Sequence, residues 1–224
     1  NPFFEEWRTP YGVPPFDRIR PEHFLPAFER GMSLHNAEID AIVDTSDEPT
    51  FENTIAAYDA SGRMLQRTSL IFEMLAASDA TPEMQAVEQE AMPLLAAHAD
   101  EIRMNERLFG RIKAVYDRRE ALPLTAEQRR LTEKLYRRFV RSGALLDEAG
   151  KRRLKEINGA LSRLSVKYGN NLLHENDAFG LELTADRLEG LPNAVREAAR
   201  EKAQAAGLGD KSYLFTLHKP SMLP

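Results

Sequence analysis

Residues 147–176 read DEAGKRRLKEINGALSRLSVKYGNNLLHEN, and this stretch decides the fold class. Leu154, Ile157, Leu161, Leu164, Val166, Tyr168 and Leu172 recur at helical spacing, with charged and polar residues between them. On an α-helix, residues three, four and seven places apart share a face, so the pattern predicts one long amphipathic helix from about Asp147 to Asn176. It is the longest helical stretch of the chain.

Upstream, the same period is punctuated by start and stop signals. Ser142-Gly143 closes a helix that Thr125 and Gln128 open as a capping box, with Leu131, Leu135, Phe139 and Val140 along its face. Thr81-Pro82 marks another start, as N-cap and first helical residue. Pro93 is expected to kink or split that helix, because proline removes a backbone donor and crowds the preceding turn. The pattern resumes through Leu108, Phe109, Ile112, Val115 and Tyr116. Thr50 is a suitable N-cap for a helix that points Ile55, Tyr58, Met64, Leu65 and Phe72 inward. Pro21 suits the first turn of a helix reaching about Asp44, with Phe24, Phe28, Met32, Ile39, Ile42 and Val43 in one stripe. Residues 1–20 are rich in proline and aromatics, which argues against both helix and free disorder. An extended arm packed on the body is expected there.

Downstream the period changes. Phe179, Leu181 and Leu183 alternate with polar residues or glycine, as do Tyr213, Phe215 and Leu217, and both runs read as strands. A helix from about Pro192 to Ala206 lies between them, stopped by Gly207. This order suits a parallel pair. The expected fold is therefore mainly α, a multi-helix bundle with a small two-stranded β element near the C-terminus. Residues 1–20 form the arm and 21–224 the helical domain. The chain starts at Asn1 rather than Met and stops on Lys219-Pro220-Ser221-Met222-Leu223-Pro224 without completing an architecture, so a fragment of a larger protein is expected.

Composition excludes several classes. The chain has 224 residues, 42% hydrophobic and 29% charged, with a net charge of −5. Nucleic-acid binders usually carry a basic excess, which is missing here. The Arg-rich stretch from Arg129 to Arg153 reads as a solvated helix face. With no cysteine there are no disulfides, thiolate metal sites or cysteine nucleophiles. No apolar run approaches the ~20 residues of a membrane span.

Chemistry is equally scarce. His174-Glu175 opens the H-E-x-x-H pattern, in which two histidines one turn apart hold zinc and the glutamate acts as base. Ala178 stands where the second histidine is required. The plain reading is a polar helix C-terminus, where the dipole favours histidine. No two of His23, His35, His98, His174 and His218 lie within one helical turn, and His98 with Glu101 reads as an exposed pair. Gly143, Gly150 and Lys151 miss the P-loop spacing, and Arg152 replaces its Ser or Thr. Gly207 and Gly209 lack a third glycine, since Ser212 sits there. Gly31-Met32-Ser33-Leu34-His35 is not a nucleophile elbow. No catalytic, cofactor-binding or metal-ligating residue is assigned.

Several segments nevertheless resemble a known family. They are Asn1-Pro2-Phe3; Pro21-Glu22-His23-Phe24-Leu25-Pro26-Ala27-Phe28-Glu29; Pro49-Thr50-Phe51-Glu52-Asn53-Thr54-Ile55; Phe139-Val140-Arg141-Ser142-Gly143-Ala144; and Tyr213-Leu214-Phe215-Thr216-Leu217 with Lys219-Pro220. In order and spacing they resemble the N-terminal portion of the thimet oligopeptidase family (M3), nearest its bacterial peptidyl-dipeptidase and oligopeptidase A branch. The resemblance implies a zinc metallopeptidase that cuts short peptides, the peptidyl-dipeptidases releasing dipeptides from the C-terminus. It places the zinc motif and its third ligand, a glutamate, in a larger C-terminal catalytic portion beyond Pro224. This chain would be one wall of the substrate channel, inactive alone and without zinc of its own. Its partners would be that C-terminal portion and short peptide substrates, with no nucleic acid and no membrane. The resemblance implies a cytoplasmic protein, or a periplasmic one if an export signal has been removed. Helices that face the missing portion are expected to expose apolar surface. The alternative is a stand-alone helical interaction module.

Overall fold

A computed structural model of the chain describes residues 1–218; the Lys219-Pro220 pair and the terminal segment to Pro224 lie outside the described residues. The chain divides into two compact units, Asn1–Val166 and the residues from Lys167 onward. The fold is mainly helical, with a two-stranded sheet near the C-terminus.

In the first unit, α1 (Phe24–Asp44) follows a 3-10 turn, Pro21–His23. Its apolar stripe serves two separate cores. Phe24, Ala27 and Phe28 join Phe3, Ile19, Ile71, Phe72, Met84, Val87 and Ala91 in the first. Ile39, Ile42 and Val43 join Phe51, Ile55, Ile102, Leu108, Ile112, Leu135 and Phe139 in the second. The first core is aromatic, with Phe24 and Phe72 ring centroids 5.1 Å apart in an edge-to-face pair. Gly31 lets α1 approach α3 (Arg63–Ser78), for a Cβ there would lie 3.0 Å from Leu65 Cα.

The segment from Pro49 to Ile55 is a structural fastening. Thr50 Oγ1 accepts from the Asn53 amide at 3.1 Å, and Asn53 Oδ1 accepts from the Thr50 amide at 2.8 Å. The first six residues, Phe51–Ala56, take a π-helical turn. Arg111 donates to Asn53 Oδ1 at 3.1 Å and Arg118 to the Pro49 carbonyl at 2.6 Å, tying the segment to α5 (Glu106–Arg118). The single helix expected from Thr50 through Phe72 is broken. α2 spans Ala57–Ala60, and Gly62 at φ 70° turns the chain left-handed into α3. Glycine takes that conformation without the penalty a Cβ incurs.

α4 (Pro82–Arg103) begins as expected, with Thr81 Oγ1 accepting from the Met84 amide at 3.3 Å. Pro93 does not split it. Packing holds both halves, Val87 and Ala91 in the first core and Ile102 in the second, and this offsets the one lost hydrogen bond. The break comes later, at Met104-Asn105, where Asn105 Oδ1 caps α5 by accepting from the Leu108 amide at 3.0 Å. α6 (Ala126–Arg141) opens with the Thr125/Gln128 box, at 3.0 and 3.2 Å, and closes at Ser142 before Gly143 at φ 94°. α7 (Glu148–Ala178) then runs two residues beyond the expected end at Asn176.

In the second unit, β1 (Leu181–Thr184) and β2 (Ser212–Phe215) pair antiparallel, Leu181 opposite Phe215. The expected parallel pair is thus corrected. Between β1 and α8 (Asn193–Ala205) the chain makes a 3-10 turn, Ala185–Arg187, and a left-handed step at Gly190, φ 86°. Side-chain alternation fixes which residues of a strand share a face but not the direction of its partner, so the order of elements alone does not decide the pairing. α8 packs on β2, with Ala199 and Ala203 buried. Phe179, read as the start of the first strand, lies between α7 and β1.

Candidate functional site

His174, Glu175 and Ala178 lie near the end of α7 and are all exposed. A helix there continues through the position where the zinc pattern needs its second imidazole, and alanine offers no donor. The nearby Asp177 Oδ1 sits 3.4 Å from His218 Nε2, an exposed contact with one imidazole. Among the described residues, no group of three or more His, Cys, Asp or Glu side chains could hold a metal ion. The donor set of the described residues therefore does not fit a zinc centre.

The structure does bring two histidines together that sequence spacing keeps apart. His35 Nδ1 on α1 lies 2.9 Å from His98 Nε2 on α4, with the rings edge to face. His98 is only 6% exposed, which corrects its expected reading as an exposed pair with Glu101. The reason is helical phase: His98 sits on the α4 face that meets α1, whereas Glu101 faces solvent. Ser61 Oγ lies 3.2 Å from His35 Nε2. The order Ser61–His35–His98 has the connectivity of a hydrolytic relay, but its groups are otherwise engaged. The Ser61 hydroxyl donates to the Tyr58 carbonyl at 2.7 Å, and the neighbouring Gly62 amide donates to Glu38 Oε2 at 2.6 Å. No hydroxyl proton remains for a base to remove, and the Ser61 and Gly62 amides that could hold an oxyanion are both engaged, the first by the Tyr58 carbonyl and the second by Glu38.

The other conspicuous surface is on α7. Ile157, Leu161 and Leu164 are 40%, 55% and 61% exposed, and Leu145 just before the helix is 61% exposed. Further along the same helix Tyr168 and Leu172 are also exposed. The amphipathic stripe that predicted this helix is thus largely uncovered. Lys151 is the one α7 side chain that is buried among the described residues, and its ammonium reaches Glu106 on α5 at 2.5 Å. No helix of the described residues is long and apolar enough to cross a membrane.

Comparison with known proteins supplies what the donor set cannot. The dipeptidyl carboxypeptidase of Escherichia coli K12 is 37% identical over 225 residues, covering 100% of this chain and 33% of that protein. The oligopeptidase A of Salmonella typhimurium is 28% identical over 217 residues, covering 96% of this chain and 32% of the relative. The chain is similar to these proteins along essentially its whole length, in keeping with the resemblance its segments bear to the N-terminal portion of the thimet oligopeptidase family. It spans about a third of the length of the curated relatives it matches, which are peptidases. No family model matches it. Against these oligopeptidase relatives, the Pro49–Ile55 segment that carries the resemblance does structural work, fastening α5 to the start of α2.

Proposed function

We propose that this chain is the noncatalytic N-terminal part of a zinc peptidase that releases dipeptides from the C-terminus of short peptides, and that it forms one wall of the substrate channel. In this reading residues 21–224 are a helical domain of that larger enzyme, with residues 1–20 as an arm packed upon it. Zinc, its ligands and the catalytic base belong to the remaining portion, and none of this chain's side chains supplies them. Short peptides are the substrate; nucleic acid and membrane are not partners; and the enzyme works in the cytoplasm.

One observation carries the proposal: similarity to a dipeptidyl carboxypeptidase along the whole chain, over only 33% of that relative. The uncovered stripe on α7 supports it, because apolar helix faces of this kind mark surfaces that another polypeptide covers. A stand-alone interaction module would use the same stripe, but would have no reason to match a peptidase from end to end.

The test is direct. A chelator-washed sample of this chain is assayed for bound zinc and for release of dipeptides from short blocked peptides. Neither is expected. Stoichiometric zinc, with turnover abolished by His174→Ala, overturns the noncatalytic reading. An H-E-x-x-H downstream of Pro224 in the reading frame supports the enzyme reading, and an early stop refutes it.

A further inference from the structure

The His35–His98 contact lies at a particular place in the first unit. On α1, His35 falls between Phe28 of the first core and Ile39 of the second; on α4, His98 falls between Ala91 of the first and Ile102 of the second. The two helices that tie the cores together therefore meet, at their shared waist, through a polar contact. The α2–α3 turn is fastened to the same point: Ser61 touches His35 Nε2, Gly62 donates to Glu38, and a Cβ at Gly62 would lie 3.2 Å from the His35 ring.

The hydrogen bonds fix the protons. Because the Ser61 hydroxyl donates to the Tyr58 carbonyl, its oxygen must accept from His35 Nε2–H. His35 Nδ1 is then a lone pair, and His98 Nε2–H donates to it. Both rings are neutral Nε2–H tautomers. A first added proton can occupy His98 Nδ1 without disturbing this bond. A second can go only to His35 Nδ1, where it would face the N–H of His98 across 2.9 Å. Two donors face to face cannot remain bonded.

We propose that the His35–His98 contact is a proton-operated latch that holds the α2–α3 turn and the waist between α1 and α4, closed when the pair is neutral and opened when both rings are protonated. Burial holds both imidazoles below their ordinary value, and His98 lowers His35 further. Glu38 on α1 and Glu101 on α4 pull the other way. No charged side chain of α2 or α3 is among the groups that shift either ring, the turn contributing only the Ser61 hydroxyl and the Gly62 amide. A histidine whose folded value is depressed contributes stability that is complete above its unfolded value, ~6.5, and is lost as pH falls through the folded value. The latch therefore opens on the acid side.

The experiment is amide hydrogen exchange of the intact chain at about pH 7.5 and about pH 5, on either side of the ordinary histidine value, with rates corrected for intrinsic pH dependence. Peptides spanning residues 58–66 are compared with residues 126–139 of α6. In the wild type, protection of 58–66 is expected to fall at least ~10-fold at the lower pH while α6 is unchanged, which corresponds to about 1.4 kcal/mol. His98→Gln provides the control. Its amide can donate to a neutral His35 or, turned over, accept from a protonated one, so the acid loss is expected to vanish. Unchanged wild-type protection overturns the latch, as does an equal loss in His98→Gln. Should that variant fail to fold, imidazole nitrogen spectra of the wild type decide: both rings as Nε2–H tautomers at neutral pH support the latch, and either ring as Nδ1–H or as a cation refutes it.

Discussion

Asn158 of α7 donates from Nδ2 to Asp100 Oδ1 of α4 at 2.8 Å, and Asp100 is 5% exposed. The pair lines a cavity of about 280 Å³ that also receives Arg103 and Arg141. A carboxylate so enclosed needs its donor, because a buried acceptor left unpaired forfeits its hydration without recompense. Asn158→Leu is expected to lower stability by ~1–3 kcal/mol, read from the urea midpoint. Asn158→Leu combined with Asp100→Leu should recover part of that loss, since it removes both polar partners.

Gly31 gives a prediction whose sign opposes helix propensity. Alanine is favoured over glycine inside a helix by ~1 kcal/mol. At this position, however, the new Cβ would sit 3.0 Å from Leu65 Cα, and backbone cannot swing aside as a side-chain tip can. Gly31→Ala is expected to destabilise by up to ~2 kcal/mol, against a gain at the open position Gly110. Thermal unfolding of the two variants side by side checks it.

Exposure separates the two apolar stripes quantitatively. Phe72→Ala, in the first core, is expected to cost ~3–5 kcal/mol. Leu164→Glu, on the uncovered face of α7, should change stability by less than ~0.5 kcal/mol and reduce self-association in sedimentation. A large loss from Leu164→Glu would mean that α7 is already covered.

The Lys151 ammonium is 6% exposed at its side chain and meets Glu106 at 2.5 Å. The hydrogen bond from Lys151 holds the Glu106 carboxyl below the usual range, and the same bond raises Lys151. The lowered carboxylate contributes stability above its unfolded value, ~4.3, and loses it as pH falls through the folded value. The raised ammonium contributes fully below ~10.4 and loses its share as pH rises through its folded value. Glu106→Gln should thus flatten both limbs of the stability–pH curve, measured by urea denaturation across the range.

What could be read in advance was whatever lies close along the chain. Thr50, Thr81 and Thr125 announced their helices because a cap needs only residues three places apart. The α7 stripe announced a helix, yet amphipathicity does not say whether a face meets its own core or another polypeptide. His35 and His98 are 63 residues apart, joined by the packing of α1 on α4, and no local spacing encodes that contact. Pro93 does not split α4, because its penalty is local, while the contacts that outweigh it come from two separate cores. The strand direction was hidden because Leu181 and Leu183, or Tyr213 and Phe215, alternate in the same way whichever direction the partner runs.

The order of the two cores along the chain has a consequence for synthesis. Every buried member of the first lies between Phe3 and Ala91, whereas the second draws on residues as late as Phe139 and Ala144. A polypeptide emerging from the ribosome can therefore close its aromatic core while the second still lacks α6. Because domains form from the N-terminus as they emerge at ~5–20 residues per second, that half-built stage lasts several seconds. During it, Ile39, Ile42 and Val43 at the end of α1 wait without their partners from α6, so that end of the helix stays open to chaperones after the first core has closed.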